Sequence, residues 1–124
     1  MFPVGTIGGS LFFVKAEEIK KVGLFDEGVF LFFEEDILSR KFRSIRKKVG
    51  IVPGVHFIHK GSSSISKSVP QFQKEKIMLE SQRYFILHYL KYKKGQLFLY
   101  DTIAKIYLWM LPAVIRIMKI VYRT

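Results

Sequence analysis

The stretch Phe25 to Arg40 reads Phe-Asp-Glu-Gly-Val-Phe-Leu-Phe-Phe-Glu-Glu-Asp-Ile-Leu-Ser-Arg, and it constrains this chain more than any other segment. Three consecutive carboxylates, Glu34, Glu35 and Asp36, close an aromatic run and open a basic amphipathic segment. Burying a carboxylate costs several kcal/mol in practice unless a partner compensates it. Three acids at the end of an apolar run therefore need a cause. One is helix capping, since acids in a first turn complement the macrodipole at about 0.3–1 kcal/mol each. The other is chemistry, with a carboxylate held ready to take a proton.

The neighbourhood of these acids sets the organisation. Leu38, Phe42 and Ile45 recur at i, i+4 and i+7, so a helix is predicted from about Glu35 to Lys48. Its other faces carry Arg40, Lys41, Arg43, Arg46, Lys47 and Lys48, which read mainly as a solvated surface. Upstream, Gly5-Thr6-Ile7-Gly8-Gly9-Ser10 reads as a loop and Leu11 to Val14 as a strand. Paired glycines permit close backbone approach to a ligand or to another part of the chain. No Gly-Lys-Ser/Thr follows, so this is not a phosphate-binding P-loop. Ala16 to Val22 predicts two helical turns, with Glu17 and Glu18 early, Lys20 and Lys21 late, and Gly23 as the stop.

Downstream, Val49 to Val52 and Val55 to His59 read as two short strands around a Pro53-Gly54 turn. Lys60 to Ser64 reads as a polar loop able to fold over a ligand. Gln71 to Lys94 predicts a long helix, and Gly95 is expected to separate it from a last apolar segment, Leu97 to Thr124. On a helical projection Lys105, Arg116, Lys119 and Arg123 form a narrow basic stripe, with Asp101 at its edge and Pro112 within it. A helix that is apolar elsewhere and carries a Trp suits a membrane interface or a partner domain equally. No uncharged run is long enough to span a bilayer, and the N-terminus lacks the layout of a signal peptide.

Charge sharpens this picture. Residues 1–36 hold three lysines against seven acids, a balance of −4, and the remaining chain stands at +15. An acidic site at one end and a surface for an anionic partner at the other follow from that split. Cysteine is absent, so disulfides and thiolate metal sites are excluded. With 12 Phe and 49% hydrophobic residues, the chain is expected to fold.

Four segments in this order carry a resemblance. They are Gly-Gly-Ser-Leu-Phe-Phe-Val-Lys, Lys-Lys-Val-Gly-Leu-Phe-Asp-Glu, Phe-Leu-Phe-Phe-Glu-Glu-Asp-Ile-Leu and Phe-Ile-His-Lys-Gly-Ser-Ser-Ser. Together, from about Gly5 to Tyr89, they resemble the acceptor-side half of family 2 glycosyltransferases of the bacterial polysaccharide, rhamnosyltransferase-like type. The resemblance implies an α/β chain: a partial GT-A (nucleotide-diphospho-sugar transferase) fold over residues 1–96, followed by an amphipathic helix over 97–124. It implies an inverting transfer of sugar from a nucleotide-diphosphate donor to a cell-surface polysaccharide or lipid-linked acceptor.

Its site assignments follow residue by residue. Glu34 matches the first acid of a Glu-Asp pair, and Glu35 falls where the family has the Asp taken as general base. Asp36 is the alternative base if the helix begins one residue later. Gly9, Ser10, Asp26 and Glu27 match acceptor-side positions, and His59 matches a His that can ligate a divalent Mg or Mn ion. His56 and His88 read as structural. The donor-binding half and its Asp-x-Asp-like motif have no counterpart here, since the three Asp (26, 36, 101) are nowhere two apart. The chain alone is therefore not expected to be a competent transferase, and a companion chain carrying the donor half is the implied partner. The expected location is cytoplasmic, with attachment to the inner face of an anionic membrane as a further expectation. The competing reading is a small basic, non-enzymatic protein that binds anionic membrane or nucleic acid. Nucleic acid is the weaker partner, because most aromatics lie in apolar runs rather than among the cations.

Overall fold

The computed structural model describes residues 1–59 and 69–121. The chain divides into two compact units, Met1–Ser62 and Ser63–Thr124, described separately here. The architecture is mixed and dominated by helices, with one small two-stranded sheet among the described residues. Both long helical segments fall in the second unit.

In the first unit, β1 (Phe2–Val4) is followed by α1 (Ala16–Lys21), α2 (Glu34–Ser44) and β2 (Val49–Ile51). The two strands are antiparallel, in the register Phe2↔Ile51, Pro3↔Gly50 and Val4↔Val49. β2 was expected, and its partner β1 was not. The strands anticipated at Leu11–Val14 and Val55–His59 are irregular instead. A strand needs a partner for its backbone groups, and the only described pairing is β1 with β2. Phe12 instead meets Phe25 edge-on, with ring centroids 6.1 Å apart. Ile58 and Phe13 are about nine-tenths exposed.

The helix ends follow local chemistry. α1 carries Glu17 and Glu18 in its first turn and Lys20 and Lys21 in its last, as the macrodipole favours. It stops at Gly23, whose φ of 77° suits a residue without a Cβ. Leu24 follows at φ 60°, and Lys41 of α2 donates to its carbonyl at 3.1 Å, holding this turn against the helix. α2 buries Ile37, Leu38, Ser39 and Phe42, which form the centre of the unit. It ends sooner than expected, at Ser44, in a closed Schellman turn. The Lys47 N–H donates to the Phe42 carbonyl and the Arg46 N–H to the Arg43 carbonyl, both at 2.9 Å.

Arg46 occupies the left-handed position of that turn, with φ 59°, where glycine has no steric cost. Arg46→Gly is therefore expected to stabilise the first unit by about 0.5–1 kcal/mol. Slower hydrogen exchange at the last α2 amides is the measurement that checks it.

In the second unit, α3 (Gln71–Phe85) runs into a π-helical turn at Ile86–Leu90, and α4 spans Lys94–Val121. The break falls at Lys91, in the left-handed conformation with φ 54°, and Gly95 lies inside the first turn of α4. The Tyr92 N–H reaches back to the Ile86 carbonyl at 3.3 Å, and Gln96 Oε1 accepts the Lys93 N–H at 2.9 Å. These bonds stop one helix and start the next without the glycine. Around the break, Tyr84 lies against His88 with ring centroids 4.2 Å apart, and Phe85 stacks with Tyr89 at 6.0 Å.

The two helices form an antiparallel hairpin. Arg83 grips Asp101 with two hydrogen bonds of 2.7 and 3.1 Å. The Tyr100 hydroxyl donates to the Leu79 carbonyl at 2.9 Å and meets Gln82 Oε1 at 3.1 Å, and the Tyr107 hydroxyl donates to Glu75 at 3.0 Å. The hydrogen bonds from Arg83 hold the Asp101 carboxyl below its ordinary range. A carboxyl depressed in the folded state adds stability above its unfolded pKa and loses it as pH falls through the folded value. The hairpin is thus expected to weaken on acidification through and below the ordinary aspartate range. Asp101→Asn should remove that acid dependence, read from far-ultraviolet circular dichroism during urea unfolding at a series of pH values.

Candidate functional site

The site is built on the first turn of α2. Phe32 (φ 68°) and Phe33 (φ 66°) are both left-handed, and Phe33 takes the N-cap position without a side-chain cap. Such a conformation costs an L-residue about 1–2 kcal/mol. Two in succession place a strained turn directly before Glu34, Glu35 and Asp36, a pattern that clusters at functional sites. The Ile37 N–H bonds to the Phe33 carbonyl at 2.9 Å, so the helix begins immediately after the turn.

Helix register then separates the three acids. Glu34 shares its face with Leu38 and Phe42, the buried side of α2. Its Oε2 is buried and meets no hydrogen-bond donor among the described residues. Asp36 shares the outward face with Arg40, which is exposed. Glu35 lies on a third face, with Ser39 and Arg43 at i+4 and i+8.

The loop after β1 runs along that third face. Gly5 sits beside Arg43, where a Cβ would lie 3.9 Å from the guanidinium. The Thr6 hydroxyl meets the buried Ser39 hydroxyl at 3.4 Å. Gly9 comes so close to Glu35 that a Cβ there would overlap the carboxylate. The glycine pair therefore allows a close approach, and what it approaches is the Glu35 side chain. Sequence reasoning named Gly9 and Glu35 separately; the fold brings them together.

The remaining expected residues are placed as follows. Ser10 is exposed on the same loop. Asp26 Oδ1 accepts the Gly28 N–H at 2.8 Å, shaping the loop ahead of the aromatic run, and Glu27 is exposed. His59 is exposed in an irregular segment. No group of three or more His, Asp or Glu side chains able to hold a metal ion occurs among the described residues. One imidazole is a poor match for Mg²⁺ or Mn²⁺, which take several oxygen ligands. The described residues thus do not form a site that fits such an ion. The loop Lys60–Ser64, expected to fold over a ligand, lies outside the described residues. Sequence reasoning missed Ser39 and Arg43, which continue the Glu35 face; their i+4 spacing was the available signal.

No significant match to this chain was found among protein-family models, curated proteins or solved structures.

Proposed function

We propose that this chain supplies the acceptor side of an inverting glycosyltransferase with a GT-A-type fold, with Glu35 as the general base. The observation that carries the reading is the close approach of the Gly9 backbone to the Glu35 carboxylate, directly after a strained turn. A carboxylate so placed can accept the proton of an acceptor hydroxyl lying on the Gly9–Ser10 loop. The oxygen then forms a bond to the anomeric carbon of the donor as the bond from that carbon to the diphosphate breaks. The nucleoside diphosphate leaves with the bonding electron pair, the anomeric configuration inverts, and Glu35 later returns its proton to water. Glu34, turned toward the apolar face, and Asp26, engaged with Gly28, position the segment rather than transfer protons.

In this reading the nucleotide-sugar half comes from other polypeptide sequence, and the acceptor is a lipid-linked or growing surface polysaccharide handled at the cytoplasmic side of a membrane. The test is co-expression with the polypeptide encoded immediately upstream, followed by transfer assays with a panel of nucleotide-diphosphate sugars. Transfer that depends on both chains and is lost in Glu35→Gln supports the proposal. Transfer that survives both Glu35→Gln and Asp36→Asn at the normal rate removes it.

A further inference from the structure

We infer that α4 is an in-plane membrane helix that docks its outward face on the surface of an anionic phospholipid bilayer. The inference rests on how the three faces of this helix are used, independently of the transferase reading.

With Lys105 as origin and about 100° per residue, the side of α4 that packs on α3 covers roughly 220° to 300°. It holds Tyr100, Ala104, Leu108 and Leu111, and Leu111 is the buried residue of the helix. An apolar arc occupies roughly 20° to 160°. Phe98, Ile106, Trp109, Met110, Ile117 and Ile120 lie on it, all more than half exposed, and Trp109 is 83% exposed. A strip this wide on a helix of 28 residues amounts to an apolar patch on the order of 500 Å², the size that marks an interaction surface.

Lys105, Arg116 and Lys119 fill the sector between the arc and the packed side. Asp101 is the single acid of α4, and Arg83 already engages it. Cations along one border of an apolar arc, where the one acid of the helix is held by Arg83 and shared only with Lys105, call for a partner that is apolar within and anionic at its surface. A phospholipid leaflet has that layering. A second copy of this helix would instead bring like charges together along the seam without a compensating acid. No helix among the described residues is long and apolar enough to cross a membrane.

Trp109 is the single tryptophan of the chain, so its emission reports on this face directly. The full chain is to be titrated with vesicles of phosphatidylcholine alone and of phosphatidylcholine with 30% phosphatidylglycerol. Anionic vesicles are expected to co-sediment the protein, shift Trp109 emission to the blue and permit its quenching by brominated acyl chains. Neutral vesicles should bind at least tenfold more weakly. Lys105→Gln, Arg116→Gln and Lys119→Gln combined should lower affinity for the anionic vesicles by about a hundredfold. Ile106→Ser with Ile117→Ser should weaken binding to both compositions. These positions are exposed, and an unchanged far-ultraviolet circular dichroism spectrum verifies that the hairpin is retained. No binding, equal binding to the two compositions, or an unaffected triple variant overturns the inference. So does a dimer by sedimentation whose Trp109 emission is already blue-shifted without lipid. Glu35→Gln is expected to bind vesicles as the parent does, so a failed transferase reading and a failed membrane reading are separately visible.

Discussion

Under the proposed transferase reading, Glu35→Gln is expected to lower sugar transfer by about 10²–10⁴-fold in the reconstituted pair, the contribution of a well-placed general base. The amide keeps the size of the side chain and the first turn of α2 but cannot accept the acceptor's proton. The loss is expected in kcat, with KM for the acceptor little changed, because the interaction forms in the transition state. Asp36→Asn, on the face shared with Arg40, should cost less than tenfold, well short of a general base's share. Gly9→Ala supplies the geometric control. Its methyl group competes with the Glu35 carboxylate for space, and the clash falls mainly on the flexible end of that side chain. It is expected to move the carboxylate rather than unfold the unit, lowering transfer on the order of 10²-fold with an unchanged unfolding midpoint. Equal activity in parent and Gly9→Ala would show that the contact between loop and carboxylate has no part in the reaction.

Leu38→Ala has the largest expected effect on stability, about 2–5 kcal/mol. Leu38 is 1% exposed, and among the described residues the buried apolar side chains of the first unit are Ile37, Leu38 and Phe42, all on α2. Removing one leaves a cavity that a centre so small has few neighbours to fill. Because native domains are stable by only about 5–15 kcal/mol, such a loss threatens the fold of the unit itself. Trp109 lies in the second unit. Hydrogen exchange of the α2 amides is the suitable measurement, and protection within tenfold of the parent would contradict the packing described.

Several elements were legible from local pattern. The start of α2 among the acids, the stop of α1 at Gly23 and the strand at Val49 follow from signals within a few residues. The strands anticipated at Leu11–Val14 and Val55–His59 fail for one reason: an apolar, β-branched run is an offer of pairing, and pairing needs a second strand. Lys91 rather than Gly95 ends the first helix of the hairpin, because the Tyr92 N–H donates to the Ile86 carbonyl and the Lys93 N–H to Gln96 Oε1, closing the turn. The strain at Phe32 and Phe33 left no trace in residue type, since neither is a residue that favours positive φ.

What the residue order determined by itself is therefore periodicity and charge: a helix with acids at its head and cations beyond, and an apolar helix edged with lysine and arginine. Those properties depend on neighbours within two helical turns. The assignment of Glu35, rather than Glu34 or Asp36, to the Gly9 loop came only with the tertiary structure. β1 pairs with a strand nearly fifty residues away and so carries the loop along one face of α2, a long-range contact that local spacing does not encode.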